Sequence, residues 1–241
     1  MNPTQKRLLA VYFPLTIVIL LLDNLYPAFT AVYYLKYGTI ISLFLTAALI
    51  HKNYREQYVM AAAVFFAAAA DFFLVFSQTI PALAGRMTLY GMLGFLIAYI
   101  FLITAFQKNF TLRGRNLLPV IPVLTVFLPV LLLLYPHING LMFIITIIFA
   151  LVLCYMSWSA LTTVYRGYFS PKAARIIALA GFLMLICDMG VALNEFHPTY
   201  TGQFVPWLKN IIWGAYIPGW TLLVAAIGEE DLLAEEVASS Q

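Results

Sequence analysis

Eight apolar runs, each about as long as a bilayer's hydrocarbon core is thick, follow one another along this chain with short polar breaks between them. They span approximately residues 8–22, 28–50, 58–77, 87–106, 117–135, 141–164, 173–194 and 206–228. A hydrocarbon core of roughly 30 Å takes about 20 helical residues per crossing. Lipid offers an open backbone no hydrogen-bond partner, so runs of this length without barrel-type alternation must be helices. Composition closes the alternative: a 241-residue chain that is 63% hydrophobic and 10% charged has too little polar surface to cover one soluble core. The chain therefore reads as an all-α polytopic membrane protein, with one transmembrane domain over 1–228 and an acidic tail, "EEDLLAEEVASSQ", over 229–241. The tail is expected to be solvated. The first run, behind Lys6 and Arg7, lacks a small-x-small cleavage site directly after it and reads as a retained helix.

Ten Lys and Arg residues fall on the side that holds the N-terminus and the turns at 51–57, 107–116 and 165–175, against Arg86 and Lys209 on the other. By the positive-inside rule both termini are expected in the cytoplasm, in a plasma or bacterial inner membrane. The net charge of +3 reflects this bias and points to no nucleic-acid partner. Cys154 and Cys187, both inside spans, supply neither a disulfide framework nor a zinc spacing. His51, His137 and His197 fall in three loops on both sides of the membrane, which excludes a single metal site built from them.

Sliding the chain on itself by 117 residues lays Asp71 on Asp188, Ser77 on Asn194 and Ala98-Tyr99-Ile100 on Ala215-Tyr216-Ile217. A four-helix repeat returns to the same side, so halves 1–110 and 117–228 would be parallel copies. Chance recurrence of common membrane residues is the other reading.

Three ionisable side chains stand away from the span ends: Lys36, Asp71 and Asp188. Each costs roughly 2.5–3.5 kcal/mol inside a membrane, so each is a functional candidate. At 1.5 Å per residue the two aspartates lie roughly 9 Å, and Lys36 about 12 Å, below the ends of their spans opposite the termini. All three can meet in one polar pocket, with Tyr99 and Tyr216 nearer the middle. Small residues, Ala67, Ala68 and Gly181, leave room for close helix neighbours. Two interpretations stay open. The trio is a structural ion-pair network with Lys36 holding one aspartate ionised, or the second acid, lacking a counter-charge, keeps its proton in low dielectric and serves as a donor. Pro119, Pro122 and Pro129 are expected to bend the fifth helix. Pro218-Gly219 is expected to break the eighth locally and free carbonyls beside the pocket. Parallel repeats, buried acids and a broken helix would suit a proton-coupled transporter.

The segments "AADFFLVFS", "LYGMLGFLIAYIFLITAF", "GFLMLICDMGVALNEF", "LLVAAIGEE" after Tyr216, and "YYLKYGTIISL" around Lys36 are similar to those of the YhhN family of membrane lysoplasmalogenases, over about residues 30 to 230. The resemblance implies an eight-helix hydrolase that cleaves the vinyl ether bond of lysoplasmalogens, releasing a fatty aldehyde and a glycerophospho-base. It makes Asp71 and Asp188 the catalytic acid pair, with Lys36, Tyr99, Asn194 and Tyr216 as supporting neighbours, a lysophospholipid as partner beside bulk membrane lipid, and no metal or cofactor. The chain departs from the family at Ala70, Tyr99 and Gly219, where the family carries Gly, His and Gln. A catalytically silent lipid-binding member is the alternative those departures suggest.

Overall fold

The computed structural model describes residues 2–27, 29–111 and 114–238. Arg113, one of the ten cations counted above, and residues 239–241 of the tail lie outside the described residues. The elements are α1 (Pro3–Leu25), α2 (Thr30–Leu49), α3 (Arg55–Leu74), α4 (Thr88–Phe106), α5 (Val120–Leu134), α6 (Gly140–Arg166), α7 (Pro171–Phe196), α8 (Pro206–Ile227) and a short α9 (Glu235–Ala238). Among the described residues, eight helical segments are long and apolar enough to cross a membrane, the fifth being α5 together with the turn before it, Gly114–Leu134. The chain is an integral multi-pass membrane protein with an all-α fold.

The helix boundaries follow local chemistry. Asn2 caps α1 by accepting from the Gln5 amide, and Pro3 stands at the first helical position, where its missing N–H costs nothing. Ser170 and Pro171 repeat that arrangement at α7. The longest helix, α6, stops at Gly167, whose φ of 63° is the left-handed conformation that glycine adopts without strain. The eighth helix runs unbroken through Pro218-Gly219, contrary to the expected break. Its neighbours supply the reason: from Ala215 to Ile227 every residue is buried, and packing on all sides holds the helix across the lost backbone bond.

This enclosed helix is the centre of the bundle, with α1, α2, α3 and α7 packed around it. A helix apolar on every face suits that place. By contrast α5 lies at the edge against α6 and α7, and most of its side chains are open. Two crossings are tight. A Cβ on Gly94 of α4 would stand 2.8 Å from the Ala70 methyl of α3, and one on Gly181 of α7 would stand 2.4 Å from Ala160 of α6. Small residues bring these backbones together where lipid supplies no hydrophobic drive. The α3–α4 crossing fixes Asp71, one residue beyond Ala70.

The described part of the tail packs on the bundle at Glu229, Leu232 and Leu233 instead of being solvated throughout. Glu229 is buried and accepts from Gln5 Nε2 at 2.6 Å and from the Lys172 ammonium at 2.6 Å. Gln57 Nε2 donates to the carbonyls of Ile227 and Glu229 at 2.8 and 2.9 Å, and Asn2 Nδ2 to that of Gly228 at 2.6 Å. Leu232 and Leu233 are buried beside Phe169, and Ser170 N donates to Leu232 O. An apolar pair amid the acids gives this segment something to bury, and it closes the end of the bundle where the chain begins.

Candidate functional site

At the opposite end of the bundle a cavity of about 530 Å³ opens among α1, α2, α3, α4, α6, α7 and α8 and the loops after α3 and α7. Asp71 and Asp188 both line it. Asp71 stands three residues before the end of α3 and is sealed by its neighbours, whereas Asp188, two turns before the end of α7, is partly open to the cavity.

Each carboxylate is held by a tyrosine from the other half of the chain. Tyr216 Oη donates to Asp71 Oδ2 at 2.5 Å, and Tyr99 Oη donates to Asp188 Oδ2 at 2.5 Å. Helix direction explains how tyrosines nearer mid-bilayer reach acids nearer the end. Cα–Cβ bonds lean toward a helix's own N-terminus. The tyrosines ride on α4 and α8, which start at the cavity end, so they lean toward the mouth. The aspartates ride on α3 and α7, which start at the far end, so they lean inward. Phe95, one turn before Tyr99, lies between the phenols, with ring centroids 6.0 Å from each.

Lys36 does not join the aspartates as expected. Its ammonium is 2.8 Å from Asp23 Oδ2, with both side chains buried, and sits 4.4 Å from the Trp213 ring centre. The trio is therefore two separate units: a closed Asp23–Lys36 ion pair, and two acids each bonded by a phenol. No ion pair to Asp71 or Asp188 is formed among the described residues. Asp23 escapes a reading based on hydropathy because the first apolar run ends at residue 22, while the helix continues to Leu25. Its signal is positional: α1 and α2 are joined by a short turn, so an acid just before it and a base just after it face each other near the same membrane surface.

Asn194 also lines the cavity. Its Nδ2 donates to Glu195 Oε1 at 3.1 Å, and its Oδ1 is buried without a partner among the described residues. Tyr99 is almost wholly buried and supports Asp188 from behind the cavity wall. No group of three or more His, Cys, Asp or Glu placed to hold a metal occurs among the described residues. His51 stays apart, while His137 and His197 come together at 5.1 Å between ring centres.

Fold and site together define a class: a multi-pass helical membrane protein whose polar cavity, near one membrane surface, holds two tyrosine-bound carboxyls. Residues 31–227 match the model of the YhhN family, and the chain belongs to that family. Comparison with curated proteins and with solved structures gives no match.

Proposed function

We propose that the chain hydrolyses the vinyl ether bond of lysoplasmalogens in this cavity, with Asp71 and Asp188 as the acid–base pair. The observation that carries the reading is the pairing itself: two carboxyls line one cavity, each bonded to a phenol and, among the described residues, neither to a cation. The reading gives one carboxyl the protonated form and the other the ionised form. Vinyl ether cleavage needs that division of labour. The acid protonates the alkene carbon remote from oxygen, and the resulting oxocarbenium ion is stabilised by the carboxylate. The carboxylate then takes a proton from the attacking water, and the hemiacetal collapses to aldehyde and alcohol. No metal or cofactor takes part.

Supporting features surround the pair. Each tyrosine binds one oxygen, Oδ2, of its aspartate. The cavity falls within the roughly 300–1,000 Å³ of ordinary ligand sites. Thr146, Ala150, Met189 and Ala192 belong both to its wall and to a narrow apolar groove between α5, α6 and α7. That groove suits the aliphatic chain of a lipid on its way to the bilayer. The 117-residue shift carries the Asp71–Tyr216 bond onto Asp188–Tyr99, and carries the starts of α3 and α4 to within one residue of those of α7 and α8. We read the halves as parallel copies, with both termini and the basic loops cytoplasmic and the mouth on the other side. A transporter would be favoured by a broken helix at Pro218-Gly219, and α8 is continuous there.

The test is aldehyde release from a lysoplasmalogen by purified protein. Asp71→Asn and Asp188→Asn each remove a titrating proton while keeping an oxygen to accept from tyrosine. Each is expected to lower the rate by about 10²–10⁴-fold. Unchanged rates in both variants would refute the mechanism.

A further inference from the structure

We infer that Lys209 is the residue of the cavity that binds the phosphate of its lysolipid ligand. The inference rests on the lipid reading above and adds to it the residue that recognises the phosphate.

Lys36, the cation buried deeper in the cavity, is spent on Asp23. Lys209 is not. It lines the same cavity near the start of α8, is only partly exposed, and makes no ion pair or hydrogen bond through its ammonium among the described residues. It lies in the fields of Glu195 and Asp23 without closing a contact on either. Asp23 is already bound to Lys36, and Glu195 is exposed and takes the Asn194 amide. Arg86 is exposed on the loop after α3 and is absent from the cavity wall. A half-buried ammonium with three donors and no acceptor is an incomplete arrangement, and an anionic oxygen completes it.

Distance selects the anion. Lys209 and Tyr216 are seven residues apart, two turns along one face of α8, which is a rise of about 10 Å. Tyr216 holds Asp71 at the cavity floor. In a lysoplasmalogen the phosphorus and the vinyl carbons are separated by about seven bonds, roughly 8–9 Å when extended. A phosphate on Lys209 thus sets the double bond at the acid pair, with the glycerol spanning the space between. Gln78 and Gln203 stand in the wall near the mouth, where amides can reach the remaining oxygens.

The experiment measures equilibrium binding of three probes to the full chain in detergent: 1-O-hexadecyl-glycerophosphocholine, 1-O-hexadecylglycerol and glycerophosphocholine. The saturated ether cannot be hydrolysed, so binding is read apart from chemistry, and failure of vinyl ether cleavage leaves this result intact. The wild type is expected to prefer the phosphate-bearing lipid over the neutral ether. Lys209→Met is expected to weaken that lipid about 10- to 100-fold and leave the neutral ether unchanged, while Lys209→Arg keeps the preference. The neutral ether serves as the folding control. An unchanged preference in Lys209→Met, no preference in the wild type, or equal loss of both lipids would each overturn the assignment. Glycerophosphocholine binding as tightly as the lipid would replace it with a site for soluble phosphodiesters.

Discussion

Replacing Asp23 by Asn strands a buried ammonium, and its cost separates the observed pairing from the one that span depths suggest. Lys36 and Asp23 are 2.8 Å apart, and their side chains are 3% and 7% exposed. Removing one partner of such a pair costs about 3–5 kcal/mol, because the remaining charge keeps its desolvation penalty and loses its compensation. The Trp213 face, 4.4 Å from the ammonium, returns only a fraction of this, about 0.5–2 kcal/mol for a cation over a ring. For a chain of this size each kcal/mol corresponds to roughly 2–4 °C, so Asp23→Asn is expected to melt about 6–20 °C below the wild type in detergent. Asp71→Asn is expected to lose less than about 1 kcal/mol, since the amide oxygen still accepts from Tyr216 and no cation is left alone. The double variant Asp23→Leu/Lys36→Met should return to near the wild-type melting temperature, because an apolar pair of similar volume carries no charge to desolvate. If instead Asp71→Asn or Asp188→Asn proves the costly change and Asp23→Asn is silent, Lys36 is paired to the acid pair and the division into two units is wrong.

Tyr99→Phe and Tyr216→Phe each delete one hydrogen bond to a carboxylate, and each is expected to reduce kcat/KM for aldehyde release by about 10- to 100-fold, from roughly 1.5–3 kcal/mol per bond to a charged group. A steady-state comparison in which either variant keeps full activity would remove that tyrosine from the site. Gly94→Ala places a methyl 2.8 Å from the Ala70 methyl and 3.0 Å from its Cα, so backbone must move and about 1–3 kcal/mol of stability should go with it. Gly38→Ala, in the exposed face of α2 with nothing within 4 Å of the new methyl, is expected to gain a few tenths to 1 kcal/mol, and thermal melts of the two variants check both signs.

Helix boundaries were legible because hydropathy records what a bilayer demands locally. The expected spans match the observed helices to within three residues except at the start of α1, where polar residues extend the helix ahead of the apolar run; α3 also starts early on polar residues and ends at Leu74, inside its run. Asp71 and Asp188 were legible for the same reason, as charges that a membrane span tolerates only with cause. Partners were not, since a hydrogen bond between Tyr216 and Asp71 depends on which helices adjoin and how their side chains lean. The acidic tail misled because its composition outweighed Leu232 and Leu233, which meet Phe169 and Ser170 at the turn before α7. Pro218-Gly219 misled in the opposite way: a local breaker was overridden by packing on every side of α8.

The sequence by itself determined that the chain is a bundle of membrane helices and that two carboxyls sit inside it, because the energetics of lipid act residue by residue along the chain. Tertiary structure decided which partner each charge meets. It gave Lys36 to Asp23, crossed the two tyrosines onto the aspartates of opposite halves, and left Lys209 open at the mouth. These outcomes turn on distances of a few ångströms between helices far apart in sequence, where low dielectric makes a paired and an unpaired charge differ by several kcal/mol.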